Sequence, residues 1–307
     1  MLGQYDGVFD AGELIKWIEA TTTPGWRCGC GAQVTLCPVW SQVLRAVAAQ
    51  TQSGQTKSGL TDAATDGLRA FRRLRMLPEV SRHRRADRSG HVDSSRQLLL
   101  AMYHAILSAS GARVIVDSSK SPVWSELVEG LDDADVRVVH LVRDPRATAF
   151  STMRVRGTPS GVEGHQMTRI RPVRTATYWA ANHAAVATVV RRSVGPGRYL
   201  RVHYEELAAA PRESVEQILA FLEEPLTGGP FVDERTVDLA PTHNLSGNAM
   251  RFDHGRVRIT PDDEWTTELP RADRLVTLAI AGPVMTWLRR VPSGRRTSPQ
   301  PGFHRPE

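Results

Sequence analysis

The sequence predicts an α/β protein built on a central parallel β-sheet flanked by helices, and three observations carry that reading. Short β-branched runs at residues 113–116, 136–142 and 198–204 alternate with helical patterns of roughly 10–15 residues, the rhythm of β-α-β units. Each run ends abruptly in polar residues: Asp117-Ser118-Ser119-Lys120, Arg143-Asp144-Pro145-Arg146, and Tyr204-Glu205-Glu206. Two of these ends are followed by the same grammar, Ser121-Pro122 and Asp144-Pro145, a capping side chain and then proline at the first helical position.

Taken in order, residues 14–21 read as a helix, followed by a cysteine segment at 28–37 and a second helix at 40–49. Residues 51–62 are polar and glycine-containing, hence loop. Residues 68–77 and 82–88 are dense in arginine and read as a solvated helical face and a loop. Residues 95–110 form a helix, because Leu99, Met102 and Ile106 share one face and Gly111 stops it. After the strands at 113–116 and 136–142 comes an apolar helix at 178–192, then the strand at 198–204. Beyond Pro211, the spacing of Val215, Ile218, Leu219 and Leu222 predicts one more amphipathic helix. The chain therefore reads as a single domain over residues 1–290. The remainder, 291–307, is rich in Pro, Gly, Ser and Arg and is expected to be disordered.

Composition narrows the partners. The chain has 307 residues, 41% hydrophobic, enough for a sizeable core. No run of about 18 apolar residues predicts an integral membrane segment. The first residues lack the basic start and apolar stretch of a signal peptide, so a cytoplasmic location is the default expectation. The net charge of +6 implies anionic partners. Of the 39 basic residues 36 are arginine, the lysines being Lys16, Lys57 and Lys120. Where arginine is the default cation, a lysine at a strand end points to a need for a compact, mobile point charge.

Ligands of α/β sheets sit at the carboxyl ends of the strands. Lys120 and Arg143 at two such ends suggest a site for a phosphorylated or sulfated ligand. Arg143 offers a bidentate fork to a phosphate, and Ser151, eight residues on and across the strand-to-helix turn, could add a hydroxyl. A local pair between Arg143 and Asp144 explains the first residue equally well. Cys28, Cys30 and Cys37 are odd in number, which argues against a disulfide framework. They could ligate zinc if a histidine completed the set, but none lies nearby in sequence, so no metal is expected.

The segments LVRDPRATAFS, VDSSKSP, YLRVHYEEL and HNLSGNAMRF together resemble the PAPS-dependent sulfotransferases, in particular the bacterial and Golgi-type branch that includes the tyrosylprotein and carbohydrate enzymes. The resemblance implies a P-loop-NTPase-like sulfotransferase fold. It also implies transfer of a sulfuryl group from 3'-phosphoadenosine 5'-phosphosulfate (PAPS) to a hydroxyl or amine, leaving PAP and needing no metal. By this likeness Arg143 and Ser151 hold the 3'-phosphate and Tyr204 packs near the adenine. Ser246, Gly247, Asn248 and Arg251 form a late loop over the phosphates. Lys120 contacts the transferring sulfuryl group and the bridging oxygen, where charge builds on the leaving phosphate. Glu13, in the Gly-Glu pair at 12–13, is the implied general base; a first-turn glutamate complementing a helix dipole is the plainer reading of the same residue.

The family also carries an N-terminal strand and a glycine-rich loop of the type Gly-x-x-Arg-Ser-Gly-[Ser/Thr]-Thr, which this sequence lacks. The expectation is an N-terminally truncated fold whose first residues, Met1-Leu2-Gly3, end the helix that follows that loop. Such a fold has fewer backbone N–H donors on the 5' side and an open sheet edge. The expected partners are PAPS or PAP and a small-molecule, glycan or lipid acceptor, not nucleic acid; the sequence is silent on oligomeric state. Two other readings stay open: a catalytically inactive PAP- or nucleotide-binding relative, and a basic nucleic-acid-binding protein.

Overall fold

A computed structural model describes residues 1–52, 65–82, 91–132, 134–154, 162, 169–224 and 227–291. The first strand, β1 (Val8–Gly12), leads into a short helix α1 (Trp17–Thr22); α2 (Trp40–Gln52) and the long α3 (His91–Ser110) follow. Next come β2 (Val114–Asp117), α4 (Pro122–Glu129), β3 (Val138–Val142), α5 (Pro145–Met153) and α6 (Pro172–Ala185). The chain continues through β4 (Tyr199–His203), α7 (Tyr204–Ala209) and α8 (Pro211–Leu222), then a hairpin of β5 (Thr236–Leu239) and β6 (Gly255–Arg258), and ends in α9 (Arg271–Arg290).

The strands pair in parallel. β1 runs beside β2 with Val8 opposite Val114 and Asp10 opposite Val116, and β3 beside β4 with Val138 opposite Tyr199 and Val142 opposite His203. Among the described residues no strand ladder joins the two pairs. Leu2 is common to both sides: it packs against the cluster of Tyr5, Val8, Val215 and Leu219, which Val114 and Val116 also join, and against the cluster of Leu200, Val202 and Ile218, which Val139 joins.

Most apolar burial lies beside the first pair. Leu14, Trp40, Phe71, Leu99, Met102, Ile106 and Leu127 are all but sealed from solvent. A second cluster forms where α6 and α9 meet, around Ala176, Trp179, Ala281 and Leu288. Both predicted caps are present: Ser121 Oγ accepts from the Trp124 amide at 3.3 Å, and Asp144 Oδ1 from the Arg146 amide at 2.8 Å. Each holds the start of a helix directly beyond a polar strand end.

Four features depart from the expectations. A strand, not the end of a helix, occupies residues 8–12; Met1-Leu2-Gly3 belongs to a single 3₁₀ turn at Leu2–Gln4. The run VFDAG carries little strand signal, because its aspartate and glycine break the β-branched signature. The expected helix at 178–192 starts at Pro172 and continues through a π turn, Val186–Val190, to Val194. The β5–β6 hairpin and α9 were not expected at all. α9 contains Pro283, which usually reads as a helix stop, and packing against α6 outweighs that local penalty. Residues 292–307, the expected disordered tail, lie outside the described residues. Among the described residues no helix is long and apolar enough to cross a membrane.

One buried polar chain runs off β3. His140 Nδ1 lies 2.6 Å from the Tyr199 hydroxyl, and His140 Nε2 lies 2.7 Å from Nδ1 of His183 on α6. Burial holds both imidazoles neutral, pulling His140 down to about 2, with His183 and Arg201 adding to the shift, and His183 to about 4. An unfolded imidazole takes a proton as pH falls through about 6.5, whereas these do not. Stability is therefore complete above that pH and is lost as pH falls toward the folded values. Between pH 7.5 and 5 we expect the pair to cost about 2–4 kcal/mol of unfolding free energy. Urea melts of wild type and His183→Gln across this range check the point. The variant should lose part of the acid slope, and an unchanged slope contradicts the assignment.

Candidate functional site

Two groups of polar side chains lie at the carboxyl ends of the two strand pairs. The first stands on β1 and β2. Between Asp10 and Gly12 the ladder bulges: Asp10 faces Val116, and Gly12 faces Asp117. Gly12 takes φ +72°, its amide donates to Asp10 Oδ1 at 3.0 Å, and its carbonyl accepts from the Ser118 amide at 2.8 Å. A bulge re-aims the side chain that follows it. Here that side chain is Glu13, whose Oε1 lies 2.5 Å from Lys120 Nζ. Lys120 itself sits at φ +51°, a left-handed conformation that costs a non-glycine residue on the order of 1–2 kcal/mol. The two residues, 107 positions apart in sequence, thus meet as an ion pair.

The floor beneath that pair is fixed. Asp117 is half-buried, and its carboxylate accepts from the Tyr103 hydroxyl at 2.6 Å, from Trp124 Nε1 at 2.7 Å and from the Ser119 amide at 3.0 Å. Burial pushes the Asp117 carboxyl up despite these donors, and burial also raises the Tyr103 phenol. Ser119 Oγ, in turn bonded to Asp117, accepts from the Ile15 amide at 3.0 Å, tying the β2 end to the segment after Glu13.

The second group stands on β3 and β4. The Arg143 guanidinium lies 4.5 Å from the ring centroid of Tyr204, and its Nη2 pairs with Asp262 Oδ2 at 2.6 Å. Its Nε is buried without a hydrogen-bond partner. Trp179 Nε1 donates to the Arg143 carbonyl at 2.9 Å, and the Asp144 amide donates to Glu205 Oε1 at 2.8 Å, so β3 and β4 end in a cross-linked rim. Asp144, for its part, binds Arg146 rather than Arg143. Ser151 lies on α5, half-buried, and no hydrogen bond joins it to Arg143. Nor does a hydrogen bond or ion pair link Glu13 or Lys120 to Arg143 or Tyr204.

The late loop belongs with the first group. The Leu245 amide donates to the Ala11 carbonyl at 2.9 Å, and the Glu13 amide donates to the Ser246 carbonyl at 3.0 Å. A Cβ on Gly12 would stand 2.3 Å from that Ser246 oxygen, so the contact requires glycine. Gly247 follows, and Asn248 caps the short turn Ala249–Phe252 through Oδ1 to the Met250 amide at 3.4 Å. Arg251 points back along the loop. It donates to the Asn244 carbonyl at 3.1 Å, to Asn244 Oδ1 at 3.2 Å and to the Arg27 carbonyl at 2.7 Å. Burial pulls its guanidinium down to about 10, which leaves it charged at neutral pH.

Sequence reasoning did not identify Asp262, the carboxylate on Arg143, because it comes from a segment with no motif. It also missed His243. The argument against a metal was that no histidine neighbours the cysteines in sequence, and the fold removes that ground by placing His243 beside Cys28 and Cys37. The available signal was an incomplete ligand set in a chain with ten histidines.

A family model described as "Sulfotransferase family" matches residues 38–228. Among solved structures, the sulfotransferase domain from the Synechococcus PCC 7002 olefin synthase is similar at 18% identity and a TM-score of 0.41, covering 93% of this chain and 94% of that one. The sulfotransferase domain from the curacin biosynthetic pathway is similar at 19% identity and the same TM-score, covering 91% and 96%. No curated protein matches. The family model spans more than half of the sequence, and on that finding the chain belongs to the sulfotransferase family.

Proposed function

We propose that this transferase moves a sulfuryl group from PAPS to a hydroxyl or amine acceptor at the carboxyl ends of the parallel strands. The observation that carries the reading is the Glu13–Lys120 pair, a carboxylate and a mobile ammonium set 2.5 Å apart by the bulge after Asp10 and the turn after Asp117. In-line transfer needs both charges. As the acceptor oxygen or nitrogen bonds to sulfur, Glu13 takes its proton. As the bond from sulfur to the bridging oxygen breaks, Lys120 stabilises the charge left on the 5'-phosphate of PAP. The chain's own geometry agrees with this division, because Lys120 is largely exposed and free to swing while Glu13 is held at its backbone by Ser246.

Arg143 suits the 3'-phosphate. Its buried Nε lacks an acceptor, and an anion bridging Nε and Nη2 would satisfy it in the bidentate manner that guanidinium groups favour. Asp262 holds Nη2 with a carboxylate of the same charge and competes for the same fork. Tyr204, already stacked on Arg143, offers an aromatic face for the adenine, and Ser151 would supply the hydroxyl. On the 5' side the residues at hand are Lys120 and the loop of Ser246, Gly247, Asn248 and Arg251. Of these Arg251 is committed to three acceptor oxygens and serves first to shape the loop. The sequence supplies no glycine-rich ring of amides there.

The arginine surplus gives little support to nucleic-acid binding. Arg72, Arg113, Arg137, Arg143, Arg146 and Arg154 each pair with a carboxylate, which neutralises part of the basic field.

Arg143→Ala should weaken PAP binding by about 1.5–3 kcal/mol in calorimetric titration, the usual worth of a hydrogen bond to a charged group. Asp262→Ala should tighten it, because the competing carboxylate is gone. Equal affinity of wild type and Arg143→Ala, or no preference for PAP over AMP, sinks the donor reading. For the chemistry, Lys120→Ala should lower sulfuryl transfer from PAPS on the order of a hundredfold or more. Near-normal turnover removes Lys120 from the reaction.

A further inference from the structure

We propose that Cys28, Cys30, Cys37 and His243 form a structural zinc site that fastens the late loop to the rest of the fold. The four ligand atoms lie within 4.8 Å of one another. Cys37 Sγ is 3.5 Å from Cys28 Sγ and 3.9 Å from Cys30 Sγ; His243 Nδ1 is 3.3 Å from Cys37 Sγ and 3.8 Å from Cys28 Sγ. Zinc bound to thiolate at about 2.3 Å and to imidazole at about 2.0–2.1 Å requires tetrahedral edges of about 3.8 Å between sulfurs and about 3.5 Å between sulfur and nitrogen. The spacings in the protein bracket those values. They are far from the ~2.05 Å of a disulfide.

The backbone is shaped to present the set. Arg27 and Gln33 bridge in antiparallel fashion, the Cys28 amide donates to the Ala32 carbonyl at 2.8 Å, and the Gly31 amide donates to the Cys28 carbonyl at 2.8 Å. This tight knuckle carries Cys28 and Cys30, with Gly31 at φ +87° turning its tip. The 3₁₀ turn Val34–Leu36 then delivers Cys37. On the opposing segment the Gly29 amide donates to the Asn244 carbonyl at 2.9 Å, and Trp40 Nε1 donates to the His243 carbonyl at 2.5 Å. A Cβ on Gly29 would lie 2.4 Å from Asn244 Oδ1 and 2.7 Å from the Thr242 carbonyl, so the close approach that seats His243 depends on glycine.

Three thiolates and one imidazole are the donors zinc prefers, and four protein ligands leave no open position for water or substrate. The site is structural in that sense. Binding displaces three thiol protons and leaves the centre with one net negative charge, beside the half-buried Arg251, whose guanidinium donates to the Arg27 carbonyl next to Cys28. What the metal fixes is the segment that runs on from His243 through Leu245 and Ser246 to the backbone of Ala11 and Glu13. This assignment does not rest on the donor reading, and its test reads metal content, not turnover.

The full-length chain, purified under reducing conditions and desalted, should carry about one zinc per chain by elemental analysis, as a closed four-ligand site does. Cys37→Ser and His243→Ala should lose most of it, and His243→Cys, which rebuilds a four-thiolate set, should retain it. A strong chelator should lower the melting temperature of wild type. Cobalt added to the metal-free chain should give the absorption of tetrahedral thiolate coordination. Absence of zinc at purification with none retained after reconstitution overturns the proposal. So does an intact mass showing a disulfide among the three cysteines, or zinc content that survives both Cys37→Ser and His243→Ala.

Discussion

The constraint on which the rest of the structure depends is the lacing of residues 243–246 between the cysteine knuckle and the bulged end of β1. Five hydrogen bonds carry it: from Trp40 Nε1 to His243, from Gly29 to Asn244, from Trp26 Nε1 and the Leu245 amide to Leu245 and Ala11 respectively, and from Glu13 to Ser246. Leu245 is fully buried where they converge, and Asn244 and Ser246 nearly so. Left unpaired at that depth, each backbone group would cost about 1–3 kcal/mol, so the segment has little freedom to detach in part. Gly12 and Gly29 make room for it. Through this lacing a loop more than 230 residues downstream fixes the backbone of Glu13, and thereby one half of the Glu13–Lys120 pair.

The second pair of strands is organised differently. At the β3 and β4 ends the polar groups answer one another mainly through side chains: Arg143 against Tyr204 and Asp262, the Asp144 carboxylate against Arg146, and the Glu205 carboxylate accepting from the Asp144 amide. The Arg143–Asp262 pair is partly shielded from water, and its worth depends on what else satisfies the guanidinium. One arm of this arginine is held by a carboxylate, and its buried Nε has no acceptor. Behind it lies the His140–His183 chain, held neutral by burial, with the buried Arg201 opposite His140 across the β3–β4 ladder.

Much of this was legible in the sequence, and the reason is local chemistry. The strand ends at Asp117 and Val142 announced themselves by β-branched runs stopping at polar residues, and Ser121 and Asp144 by the prolines that follow them. The strand-end cations Lys120 and Arg143 could be named from that grammar alone. What escaped was non-local. β1 was hidden because Asp10 and Gly12, which flank the bulge, break the β-branched run. Asp262 and His243 reach their partners across 119 and 206 positions, and no periodicity encodes such a meeting. The absence of a nearby histidine was a sound observation about sequence distance that did not carry over to distance in space.

The most direct test of the lacing is native-state hydrogen exchange on the purified chain, read at the amides of Glu13, Gly29 and Leu245. If residues 243–246 bind the knuckle to β1 as one unit, the three amides share slow exchange and lose protection together when His243 is replaced by alanine, while amides in β3 and β4 change little. Independent exchange of the three, or loss at Gly29 alone with Glu13 and Leu245 still protected, would contradict the account.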